Sequence, residues 1–463
     1  MGTSILFRHA IFKGAAGVAV AGLCVMAGTA GVAARTVPAA HRGTARPAGR
    51  GSTRRQATGF ANWPMFRGNL THSGVSPETG INTTNASTLT PGWSASTGTI
   101  TYSSPAVVDL KSLGEAVVFA GGSTSFDAYV ESTGALLWSF PLTRRVNSSP
   151  AVLNGVVYFV DTDGTLYALN AKNGALRCSY ATGQYTETSP VVTEDPDGSG
   201  PVIYFGTSPP LPAQGSEYAI YGPGNTHGSC TEDWSFDGWN IHPAGSWSPP
   251  AYGTNANGTP VLVFGSENID NSVYALNADT GAKIWTYRTS KTHEDNDVGA
   301  PPTISPPGTN GFADGVVYVT GKDKVTYALD LTTGALIWQD PLDVGRIGDV
   351  CGIALVGNTI YVGSDTGFYA FNATTGAQVW HVLPSRAFYA SPAVVGPPGE
   401  QVLVTANVTG DVYVLNLATG NTLYIDEADS AGIWSSPAVS QNTIYITGKD
   451  GQLMTFTLPS ADR

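Results

Sequence analysis

One strand–turn–strand unit recurs along this chain: a strand, a tight turn containing Gly, then a strand ending in Trp. VYALNADTGAKIW (273–285) is the clearest copy. TYALDLTTGALIW (326–338), FYAFNATTGAQVW (368–380), LYALNAKNGALRC (166–178), FDAYVESTGALLW (126–138) and VYVLNLATGNTLY (412–424) repeat it. A unit this short cannot bury its own apolar face, so copies must stack into an array.

A second landmark precedes each turn. Ser104, Ser149, Ser189, Ser391 and Ser436 are each followed by Pro and then by Ala-Val or Val-Val. Next comes a β-branched and aromatic run such as 156–160 or 359–362. Period-2 alternation bounded by Gly, Asn and Asp reads as strand. Each unit is therefore four short strands, and no helical period appears. The fourth-strand ends fall at Trp93, Trp138, Cys178, Trp234, Trp285, Trp338, Trp380 and Tyr424. The first of these strands, 89–93, has no unit before it. The last unit, 436–457, supplies three strands and no fourth. The two fragments complete each other, which leaves no free sheet edge. The expected fold is all-β: an eight-bladed β-propeller closed by its N-terminal strand.

Most repeated residues are scaffold. Trp packs between blades, and Gly supplies positive φ in the turn. Residues outside the propeller read differently. Arg8, His9 and Lys13 precede a run of small and aliphatic residues ending at Val32-Ala33-Ala34, the pattern of a cleaved secretory signal over 1–34. An uncleaved anchor is the alternative, because the run approaches the length of a membrane span. No later run does, so no membrane span is expected after signal removal. Residues 35–59 are Arg-, Ala-, Gly- and Pro-rich without periodicity and read as a disordered basic linker. The propeller is assigned 60–463, with a net charge of −20. Such a surface repels nucleic acid and anionic membranes. Export permits disulfides. Cys178 and Cys230 are the candidate pair, Cys351 reads as a buried thiol, and no haem-attachment or zinc motif exists.

The A-x-[ND]-x-x-T-G-x-x-x-W pattern resembles the tryptophan-docking repeat of pyrroloquinoline quinone (PQQ) dehydrogenases. Residues 62–93 resemble the opening of that family, and of polyvinyl-alcohol-dehydrogenase-like members in particular. The repeat is specific for fold and weak for activity, because a non-enzymatic outer-membrane assembly lipoprotein shares it. Function must come from the site.

The residue three before the Ser-Pro proline opens each inner strand at the channel rim: Tyr102, Asn147, Glu187, Trp247, Gly299, Val350, Tyr389 and Trp434. Polar and aromatic groups converging there suit a planar anionic cofactor. The resemblance implies that Glu187 and Asn268, with Asp295, ligate Ca²⁺, and that Trp247 forms a floor under the quinone. Asn268 lies in VFGSEN, where Glu267 replaces a family Gly. Glu267 either adds a ligand or blocks the site. In THEDNDVGAPP (292–302) the resemblance implies a catalytic base. Asp295 is favoured, then Asp297, with Glu294 competing and His293 a neighbour. Lys322 matches the family's quinone-facing cation, with Lys324 close by. Arg346 and the pair Arg144–Arg145 are candidates for the cofactor's carboxylates, and Trp434 for edging the ring. The adjacent-cysteine disulfide of many quinoprotein alcohol dehydrogenases is absent.

The expected activity is an exported PQQ- and Ca²⁺-dependent oxidation of an alcohol or sugar hydroxyl, with a separate electron acceptor. A non-catalytic cell-envelope propeller that binds protein or polysaccharide is the alternative.

Overall fold

The computed structural model describes residues 62–290, 296–342, 351–382 and 387–459. The expected signal and linker, Asp295 and Arg346 lie outside the described residues. Eight antiparallel sheets follow one another along the chain as eight blades. Two 3-10 turns, Phe66–Gly68 and Ala86–Thr88, are the only helical elements among the described residues. None is long and apolar enough to cross a membrane. The first full blade contains Ala106–Leu110, Glu115–Gly121, Ser125–Val130 and Leu136–Pro141. The eighth contains Ala438–Ser440, Thr443–Thr447 and Gln452–Thr457, and its outer strand is Thr90–Ser96. Thr90 faces Thr457 and Ser96 faces Gln452, so the N-terminal strand closes the ring as the repeat count requires.

Tryptophan docking links six of the eight blades to the next. The indole N–H of Trp93 donates to Glu131 O at 2.8 Å, and Trp285 to Leu331 O at 2.9 Å. Trp138, Trp234, Trp338 and Trp380 make the same bond to the following blade. The turn Gly lies flat against the ring: a Cβ on Gly134 would come within 2.6 Å of Trp93, and its φ of +70° disfavours any side chain. Two of the eight junctions lack Trp. Between the second and third blades Cys178 and Cys230 form a disulfide, with Cα atoms 5.8 Å apart. At the seventh, the Tyr424 ring lies 6.2 Å from Phe456. Cys351 is buried and free.

The Ser-Pro motif has its own task near the axis. The N–H of Ser104 donates to Ser149 Oγ at 3.1 Å, and that of Ser149 to Ser189 Oγ at 2.8 Å. Gly352 continues to Ser391, Ser391 to Ser436, and Ser436 back to Ser104. This belt stops at blades four and five, where Pro249 and Pro301 occupy the serine position and offer neither hydroxyl nor N–H.

The segment before the closing strand plugs the channel. Asn62–Trp63 pairs with the inner strand of blade one. Carbonyls of Pro64, Leu70, Thr71, Ser73 and Gly74 accept N–H bonds from Val152, Tyr252, Ile304, Leu355 and Val394, the inner strands of blades two, four, five, six and seven. Ser76 Oγ donates to Val439 O in blade eight at 3.1 Å. Arg67 is fully buried in the plug and donates to the carbonyls of His72, Pro392 and Ile353. These contacts lie five residues past the rim position, at most about 17 Å along an extended strand. Each blade is a meander. The turn after its second strand therefore shares an end with the connection entering its first, and that end is the mouth.

Candidate active site at the channel mouth

The mouth of blades four and five holds a buried ion pair. Asp297 lies in the connection entering blade five, and Lys322 in the turn after that blade's second strand, Val316–Thr320. Lys322 Nζ is 2.9 Å from Asp297 Oδ2, and both residues are almost fully buried. The Trp247 indole N–H donates to the same oxygen at 3.2 Å, and the Asn268 backbone N–H to Oδ1 at 2.7 Å. The ammonium also lies 5.2 Å from the Trp247 ring centroid. Gly299 makes room for that indole: a Cβ there would come within 2.0 Å of it.

Burial alone would raise the Asp297 carboxyl. The charge and hydrogen bond of Lys322, with Asn268 and Trp247, outweigh burial and hold it below the ordinary aspartate range. Asp297 is thus a committed carboxylate. The raised carboxyl is Glu267. Burial lifts it to about 7, opposed by the Ser208 hydrogen bond, reinforced by Asp297 and opposed again by Lys322. Ser208 Oγ donates to Glu267 Oε2 at 2.7 Å, while Oε1 is buried with no hydrogen-bond partner.

Glu187 is held in a separate group on blades two and three. Asn147 Nδ2 donates to its Oε1 at 2.7 Å and the Tyr185 hydroxyl at 2.5 Å, with Arg145 Nη2 at 3.9 Å. Arg144 instead pairs with Asp163 in solvent and does not join the mouth group. Trp434 lies on blade eight. Tyr102 stacks on it at 4.8 Å, Tyr389 meets it edge-on at 5.4 Å, and Lys449 Nζ sits 4.5 Å from its centroid.

The structure therefore brings Trp247, Asn268, Asp297 and Lys322 into one contact set. Glu187 and Trp434 lie in two other groups of the rim. Sequence reasoning missed Lys449, although Thr447–Gly448–Lys449–Asp450 repeats Thr320–Gly321–Lys322–Asp323. It also missed Glu217, a fully buried carboxyl with neither oxygen hydrogen-bonded. Its signal was a charged residue at a strand position that holds Phe126, Leu166 or Val273 in other blades. A second acidic recess of about 440 Å³ lies at the opposite end of blades three and four, lined by Asp195, Asp197, His227, Asp233 and Asp279.

Repeat, ring closure and rim together define a PQQ-repeat β-propeller. The chain belongs to the family described as outer membrane protein assembly factor BamB, whose family model matches residues 81–210 and 269–463. It is 24% identical over 353 residues to the outer membrane protein assembly factor BamB of Yersinia pestis, covering 70% of this chain and 78% of that one. It is 28% identical over 222 residues to the quinoprotein glucose dehydrogenase of Escherichia coli (strain K12), covering 39% of this chain and only 27% of that enzyme. Among solved structures, a europium-containing methanol dehydrogenase superposes with a TM-score of 0.72 at 16% identity, covering 86% of this chain and 98% of that one. Likeness at that identity establishes the fold.

Proposed function

We propose that the mouth is the active site of an exported dehydrogenase that oxidises an alcohol or sugar hydroxyl with PQQ and a bound cation. The observation that carries this reading is the Asp297–Lys322 pair, buried against Trp247 and closed by the Asn268 N–H. A buried ion pair is weak evidence of stability, and a scaffold has no need of one at an open rim.

One buried group supports a charged ligand at the mouth. Glu267 Oε1 is a buried oxygen without a partner, the kind of group an ion would satisfy. By the resemblance, Glu187, Asn268 and Asp295 would hold the cation, and Trp247 would face the ring. When bound, the quinone would supply the hydride acceptor and the cation a Lewis acid. The chain's own residues orient and move protons. Lys322 supplies a fixed positive charge where negative charge develops. Asp297, with both oxygens engaged, positions that ammonium. Asp295 is assigned the substrate hydroxyl proton. Electrons leave to a separate acceptor. The cation is Ca²⁺ by resemblance, and the europium of the superposed methanol dehydrogenase adds a trivalent ion to the trial.

The second reading is a non-catalytic envelope propeller. The match to the Yersinia pestis assembly factor over 78% of its length favours it. Purified protein incubated with PQQ and either Ca²⁺ or Eu³⁺, then assayed for dye reduction over a panel of alcohols and sugars, separates the two. Turnover that falls at least 100-fold in Lys322→Met supports the enzyme. Absence of PQQ-dependent reduction with either cation supports the scaffold.

A further inference from the structure

The element that carries Lys322 occurs twice. Thr447–Gly448–Lys449–Asp450 occupies in blade eight the turn that Thr320–Gly321–Lys322–Asp323 occupies in blade five. The backbone agrees: Lys322 N–H donates to Asp297 O at 2.9 Å, and Lys449 N–H to Gly432 O at 2.8 Å. Each ammonium lies over an indole, Lys322 over Trp247 at 5.2 Å and Lys449 over Trp434 at 4.5 Å. The indoles arrive by different routes. Trp247 reaches across Gly299 from blade four, whereas Trp434 stands at the rim of blade eight itself.

The copies differ in charge. In blade five the ammonium has a built-in counter-ion, Asp297. In blade eight the same backbone position is Gly432, whose φ is +98° and whose Cβ, if added, would lie 2.3 Å from Val408 O. A carboxylate side chain has no place there. Lys449 has no ion-pair partner among the described residues. The adjacent carboxylates are turned to backbone amides: Asp429 accepts from Ala431 and Asp450, and Asp450 from Gln452. Lys449 is half-buried, and Trp434 is 37% exposed at the mouth. Tyr102 and Tyr389 extend the aromatic wall on either side.

We propose that Lys449, seated over Trp434, receives a carboxylate of the ligand that enters the mouth, as Lys322 receives the carboxylate of Asp297 within the protein. A half-buried cation on an aromatic face keeps its remaining N–H donors for an anion. The bond to a charged acceptor is among the stronger single polar contacts. The surrounding rings favour a ring-shaped partner, so the ligand class is a cyclic carboxylate. Two sources share that chemistry: a carboxylate of the quinone, and a sugar acid in the substrate position. The inference rests on the mouth being a ligand site, as in the proposed function, but not on redox activity.

Calorimetric titration of PQQ, glucuronate and glucose, each with Ca²⁺ and with Eu³⁺ present, into the wild type, Lys449→Gln and Lys449→Arg tests it. At least one carboxylate ligand is expected to lose about tenfold in affinity in Lys449→Gln. Lys449→Arg retains most of that affinity, and glucose is unaffected by either change. A loss confined to PQQ assigns the carboxylate to the cofactor, and a loss confined to glucuronate assigns it to the substrate. If both carboxylates bind Lys449→Gln within twofold of the wild type, or neither binds the wild type, the proposal is overturned. Failure of the dehydrogenase reading looks different: glucuronate binds through Lys449 while PQQ does not bind the wild type.

Discussion

At the scale of single residues, two buried carboxyls behave in opposite ways because one has a partner. Asp297 is ionised because Lys322 is 2.9 Å away. Replacing it with Asn removes the ionised carboxylate from a buried ammonium, a change that costs up to about 3–5 kcal/mol in comparable pairs. Urea unfolding of Asp297→Asn should show that loss, and a midpoint equal to the wild type would mean the pair is solvated. Glu217 has burial and no partner, so its carboxyl stands well above the usual 4.5. Above pH 4.5 the unfolded chain releases this proton while the folded chain keeps it. Stability therefore falls as pH rises from 4.5 toward the folded-state value, by up to about 1.4 kcal/mol per pH unit. Unfolding free energies measured from pH 5 to 8 should fall less steeply in Glu217→Gln than in the wild type, and parallel slopes would contradict the assignment. Lys322 was legible as an interruption of the repeat. Its pairing with Asp297 was not, because the partners are 25 positions apart and meet only through blade geometry.

At the scale of elements, the repeat announces its strands because each strand position has one physical job. The indole needs a flat Gly opposite it, and the Ser-Pro serine needs the next serine. Where a job changes, so does the residue: Pro249 and Pro301 interrupt the belt on the blades that carry the Asp297–Lys322 pair. The junction without Trp at Cys178 is closed covalently to Cys230, 52 residues on. In the chain-entropy account a loop of that length contributes about 4 kcal/mol. The Cys178→Ala/Cys230→Ala double variant should unfold at lower denaturant by an amount of that order. A loss below 1 kcal/mol would show that packing of the second and third blades suffices without the bond.

At the scale of the whole molecule, ring closure was written in the sequence as a missing strand at one end and a surplus strand at the other. The plug was not. Its carbonyls meet the inner strands through backbone groups that any sequence supplies, and the side chains that mark the path are Arg67, which donates to three carbonyls, and Ser76. The mouth is therefore single-ended, with its polar residues divided among blades four and five, two and three, and eight and one. The central claim is that these groups form one ligand site. Equilibrium binding of PQQ to the purified chain with Ca²⁺ or Eu³⁺ present, read by quenching of tryptophan fluorescence, tests it most directly. The account requires one PQQ per chain, cation-dependent, with affinity lost in Glu187→Ala and in Lys322→Met. Absence of saturable binding with either cation, or binding indifferent to both substitutions, would contradict it.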